Sequence, residues 1–120
     1  MTHSTAANTS HDADVVTEFK HHVNMTRNEL TRWLRTEESL MVGQKKTGGE
    51  STGHRSGRRI VQLLEKKKGD LEPADLQHMR KVVGYIKRHM AQRPDQSADE
   101  IDHSAWRYSL MNWGHDPLKR

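Results

Sequence analysis

Five apolar residues, Leu76, Met79, Val83, Ile86 and Met90, recur at spacings of three, four, three and four. That spacing brings them onto one side of an α-helix, so a helix is predicted over about 73–92, with an apolar stripe ~21 Å long at 1.5 Å per residue. Pro73 suits the first helical position, where a missing N–H is harmless, and Asp75 lies in the first turn, where the helix dipole favours negative charge. Leu71 is placed to staple against Leu76, and Pro94 limits the far end. Such a stripe has to be covered by other helices.

Those helices are legible on both sides. Val15, Val16, Phe19 and Val23 mark one over about 13–23. Thr26 and Glu29 form a capping-box pair that opens a helix over about 27–37, with Leu30, Trp33 and Leu34 inward and Arg27, Arg32 and Arg35 outward. Ser56 is read as the cap of a helix over about 57–67, in which Ile60, Val61, Leu63 and Leu64 face inward, with Gly69 suited to a left-handed closing position. Trp106, Leu110 and Trp113 mark a last helix over about 104–113, followed by Gly114 and Pro117. No strand-like alternation exceeds three residues, and neither repeats nor heptads occur. The expected fold is all-α, a small bundle of about four to five helices around a helix–turn–helix-like central pair, 57–67 and 73–92.

Between the helices the composition changes. Residues 1–12 are expected to be a disordered leader. Residues 43–57 hold five glycines in fifteen positions, so 43–56 reads as a flexible basic loop, and 94–101 reads as an acidic linker. With 120 residues, of which Leu, Ile, Val and Phe supply 20, one helical domain over 13–119 is all the chain can build. The absence of Cys excludes disulfides, thiolate metal sites and Cys nucleophiles, and fits a reducing compartment. No signal-like or membrane-spanning segment is present, which leads to an expectation of a cytoplasmic protein, or a nuclear one in a nucleated source.

Charge is the feature that bears on function. Residues 1–44 carry four basic and six acidic side chains, residues 45–93 thirteen and five, and residues 94–120 three and five. A basic middle of this kind steers polyanions. The outward face of the long helix presents Arg80, Lys81, Lys87 and Arg88 around Gly84, a residue that costs about 1 kcal/mol in a helix interior and so suggests a close approach there. The preceding loop and helix add Lys45, Lys46, His54, Arg55, Arg58 and Arg59. These residues are the candidate nucleic-acid site, DNA or RNA, read mainly through phosphates; contact by six cations implies a log–log salt slope near −5. Backbone N–H groups near Ser56 to Arg58 are a further candidate for a phosphate. The alternative is a helical protein-interaction module or homodimer, with Gly84 admitting a partner helix.

Other chemistries are poorly supported. The glycines of GGESTGHR resemble a phosphate-binding loop only in spacing, because His54 and Arg55 stand where Lys and Ser or Thr are needed. Nine histidines are scattered, with only His21 and His22 adjacent, so no metal, cofactor or small-molecule substrate is expected. His115 and Asp116 in WGHD are better read as a C-terminal cap than as a base and its orienter. The three tryptophans are better read as core than as base-stacking platforms. No enzyme is indicated.

The blocks NMTRNELTRWLRTEES, GHRSGRRIVQLLEKKKGDLEPADLQHMRKVVGYIKRHMAQRP and WRYSLMNWGHDPLK resemble the landmarks of one small family of unknown function found in bacterial and fungal genomes. The resemblance covers about 15–42 and 52–119, including Ser51, Gly53, His54, Ser56, Gly57 and Arg58, the stretch His78 to Val83, and Asn112 to Lys119. Members of that family are often labelled DNA-binding proteins. The resemblance therefore implies nucleic-acid binding and supplies no catalytic residues.

Overall fold

A computed structural model describes residues 13–42 and 50–119, which are helical with no strand among them. The first helix, α1, occupies 13–22. It is followed by α2 (Arg27–Trp33), α3 (Glu37–Met41), α4 (Thr52–Glu65), α5 (Pro73–Met90), α6 (Ala98–Asp102) and α7 (Ala105–Asn112), with a short 3-10 turn at Lys68–Asp70. The expected leader and the 43–49 part of the expected loop, with Lys45 and Lys46, lie outside the described residues.

Local chemistry explains the boundaries. Thr26 and Glu29 close the expected capping box, and Asp75 closes another with the Glu72 backbone behind Pro73. The expected helix over 27–37 is instead two helices. Thr36 donates its hydroxyl to the Trp33 carbonyl at 2.7 Å and accepts the Ser39 N–H, so it ends one helix and caps the next. The expected linker 94–101 also contains a helix, because Ser97 and Glu100 make a third capping box and the fully buried Ile101 anchors it. A lone apolar residue shows no periodicity, so this helix leaves little trace in the sequence.

The largest correction concerns α4. It begins at Thr52, capped by Ser51, so residues 52–56 belong to its first turns and not to a flexible loop. Ser56 is buried inside the helix, and the amides from Ser56 to Arg58 are internal to α4 rather than available to a phosphate. The glycines that imitate a loop are contact points. A Cβ on Gly57 would lie 2.6 Å from both the Asn112 carbonyl oxygen and a Leu34 methyl, so only glycine lets α4 approach α2 and α7 this closely. At the other end α4 stops at Glu65, and Gly69 sits in the 3-10 turn with no left-handed backbone.

The element that unites the fold is α7, against which α2, α3, α4, α5 and α6 all pack. Leu110 is fully buried with Phe19, Leu30, Ile60, Val82 and Ile86 in one core. Within it the Asn112 side chain makes three hydrogen bonds. Its Oδ1 accepts from Trp33 Nε1 at 2.8 Å and from the Ser39 hydroxyl, and its Nδ2 donates to the Ser39 carbonyl at 3.1 Å. Gly114, with φ 83°, turns the tail back as expected. The tail then serves as a clasp: Asp116 takes both Arg107 nitrogens at 3.0 Å and pairs its backbone with Asn24, while His115 Nδ1 donates to the His22 carbonyl at 2.7 Å.

Candidate nucleic-acid interface

The candidate cations separate into two groups. In the first, charge is consumed within the fold. Arg58 holds the Glu50 carboxylate with two hydrogen bonds, at 2.9 and 2.6 Å, and Arg55 reaches the same carboxylate only at 3.8 Å. Bonding to Arg58 and His54 lowers the Glu50 pKa to about 2 and raises that of Arg58. Arg59 and Lys66 share Asp75 at 3.1 and 2.7 Å, and the Lys66 bond with the Glu72 backbone N–H lowers the Asp75 pKa to about 2. Lys87 ties α5 to α1 through Glu18 at 3.1 Å.

His54 belongs to this group and corrects the picture of an exposed loop cation. It is buried, with Nε2 bonded to the Leu34 carbonyl at 2.9 Å and Nδ1 against Glu50.

The second group is Lys81 and Arg88, neither of which makes an ion pair among the described residues. They face a concave space of about 360 Å³ between the first turn of α4 and the middle of α5, walled by Val42, Thr52, Gly53, Tyr85, Ser109 and Trp113. Lys81, Thr52 and Trp113 also line a neighbouring hollow of about 270 Å³ with Arg55, Arg59, Ser56 and His78. The two hollows form one groove across the start of α4, and no acidic residue lines either.

Gly84 has a different role from the one its position suggests. The atoms nearest to a Cβ placed there belong to the Arg88 guanidinium, with Nη1 at 3.1 Å, and not to a neighbouring helix. The missing side chain leaves room for Arg88 one turn further along α5. Arg80, in contrast, lies on the exposed face outside both hollows.

Beneath the groove runs an aromatic ladder that the sequence conceals. His78, Trp113, Tyr85, His89 and Trp106 stack in that order, with centroids 6.3, 4.3, 5.2 and 5.8 Å apart and planes within 13–14°. Arg93 caps the far end, 5.7 Å from the Trp106 centroid. The signal available in the sequence is that His78, Tyr85 and His89 fall on one line of α5, yet their partners come from a helix whose packing cannot be read from spacing. Trp106 Nε1 donates to the His89 carbonyl at 2.8 Å and His89 Nε2 donates to the Trp106 carbonyl at 3.2 Å.

Burial lowers the pKa of His78 and of His89 below the ordinary histidine value. The unfolded chain therefore binds protons that the folded one refuses as pH drops below about 6.5. Stability should decline from there downward, and decline again from about pH 4.5 toward 2 as the depressed Glu50 and Asp75 carboxylates titrate. Denaturant titrations at pH 7.5, 6 and 5 check the first step; equal stability at all three would refute it.

Among the described residues no group of three His, Asp or Glu is arranged to hold a metal ion, and no helix is long and apolar enough to cross a membrane. The chain belongs to the family described as protein of unknown function (DUF3140), whose model matches residues 18–111. Neither a curated protein nor a solved structure shows significant similarity to it.

Proposed function

We propose that this protein binds nucleic acid, chiefly through phosphates and with limited sequence specificity, at the groove between α4 and α5. The observation that carries the reading is the pair Lys81 and Arg88, cations without ion-pair partners among the described residues, in a groove lined by no acid. Elsewhere on α4 and α5 a phosphate has to displace an internal carboxylate from Arg58, Arg59 or Lys87, which offsets much of the gain. The test is fluorescence anisotropy with labelled duplex DNA, single-stranded DNA and RNA at about 50 and 200 mM salt, where an electrostatic interface weakens at least tenfold. The Lys81→Glu, Arg88→Glu double variant should abolish binding with helicity intact; normal binding by that variant overturns the assignment.

A helix–turn–helix mode makes a different demand, because insertion of α5 into a major groove recruits Arg80 and Lys87 as well. Loss of binding in Lys87→Ala as large as in Lys81→Ala would favour that mode.

A protein-interaction module is the second reading, and it rests on α3. Leu40 and Met41 are 48% and 66% exposed, beside a hollow of about 510 Å³ walled by Glu37, Glu38, His103 and Tyr108. Exposed large apolar side chains grouped beside a hollow are a feature of protein-binding surfaces. A Met41→Lys variant that binds nucleic acid normally but loses a protein partner separates the two readings.

A further inference from the structure

We infer that the larger hollow of the groove is a one-nucleotide pocket, which takes the phosphate at Lys81 and Arg88 and the base against Val42, Tyr85 and the edge of Trp113. The inference rests on the phosphate-binding reading above and adds the identity of what enters. Its volume, about 360 Å³, falls in the range of ~300–1,000 Å³ found for small-ligand sites, which are mostly apolar with a few converging polar groups. This hollow has that character. Lys81 and Arg88 stand at one side, while Val42, Tyr85 and Trp113 form much of the remaining wall. The ring faces of Trp113 and Tyr85 are taken by the ladder, so a base meets their edges and Val42, with the Ser51, Thr52 and Ser109 side chains beside it. Recognition of the base therefore falls chiefly to shape and edge contact within this wall.

Concavity decides between strands. In a duplex the bases are stacked and paired, with only their edges open in the grooves, whereas an unpaired strand delivers a whole base and its phosphate together. The ligand chemistry is thus a nucleoside phosphate, either free or within a single strand. Gly84 gives the Arg88 guanidinium its room at the phosphate end, since a methyl group there would stand 3.1 Å from Nη1 and oblige the guanidinium to shift.

The test measures displacement of a labelled eight-nucleotide single strand by adenosine monophosphate, by inorganic phosphate and by a blunt hairpin duplex, alongside direct titration of each. The expected result is that the mononucleotide competes at least tenfold better than inorganic phosphate, and the single strand binds at least tenfold tighter than the hairpin. Gly84→Ala should weaken mononucleotide binding about fivefold while its melting temperature stays equal or rises, as alanine favours the helix. A merely structural glycine would not separate these two readouts. Equal binding of single strand and duplex, both lost in Lys81→Ala, Arg88→Ala, overturns the pocket and leaves the phosphate surface standing. No binding of any nucleic acid at low salt overturns both. Inorganic phosphate competing as well as the mononucleotide overturns the base-binding part, and unchanged mononucleotide binding by Gly84→Ala overturns the role of that glycine.

Discussion

Arg58 and Arg59 on α4 and Lys81 and Arg88 on α5 are indistinguishable as sequence: two pairs of cations on the outward faces of neighbouring helices. In the fold they differ completely. Arg58 and Arg59 each hold a carboxylate, Glu50 and Asp75, and in doing so fasten the beginnings of α4 and α5. Lys81 and Arg88 hold none and face a hollow. The number of basic residues in a stretch thus overstates the charge available to a partner, because a carboxylate that caps a helix recruits its cations first. Asp75 shows this most clearly, as one side chain closes a capping box and binds both Arg59 and Lys66.

The comparison can be broken at several points. The largest effect should come from the support of both cation groups: Asn112→Ala leaves the Trp33 indole N–H and the Ser39 groups without their buried partner, a loss of about 3 kcal/mol by chemical denaturation. A loss under about 1 kcal/mol would show that α7 is not the hub of the fold. Next, Asp75→Ala should lower stability by about 2 kcal/mol through the lost cap and ion pairs. In the same variant Arg59 is released beside the groove, so affinity for a polyanion should hold or rise; a fall in affinity at a temperature where the variant is folded would contradict the division of roles.

Binding variants give the third effect. Lys81→Ala with Arg88→Ala should lose about 1.4 kcal/mol or more of binding, a tenfold change, with an unchanged melting temperature. Arg58→Ala should do the least, with a small loss of stability because the guanidinium lies on the solvent side of the pair, and with no effect on binding. Equal binding losses in Arg58→Ala and Lys81→Ala would erase the distinction between the two groups.

How much of this was readable in the chain depends on which interactions are local. The helix over 73–90 is written in the spacing of Met79, Val83 and Ile86, and the start of α2 in Thr26 and Glu29, because periodicity and capping act within a few residues. The outward placement of Lys81 and Arg88 followed from the same spacing. The start of α4 was hidden, since Gly53 and Gly57 are glycines on account of Trp113, Asn112 and Leu34, all distant in sequence. His54 was misread for the same reason: its partner Leu34 lies 20 positions away. The stack of Trp113 on Tyr85 joins two helices, so nothing in the spacing of either announces it. The contacts across the fold left no trace in the spacing, while the caps at Thr36, Ser51 and Ser97 are local signals that compete with other polar residues in the same stretches.

The most direct test of the groove is the salt dependence of single-strand binding, measured by anisotropy over about 50–200 mM salt. If Lys81, Arg88 and Arg55 are the cations that meet phosphates, log K should fall with log salt at a slope near −2, from three contacts at ~0.7 each on a single strand. Removing Lys81 and Arg88 should flatten it to about −0.7, the single remaining contact. A slope of about −4, the value for six cations on a single strand, that persists in the double variant would mean that the whole basic middle engages the ligand and the groove is incidental.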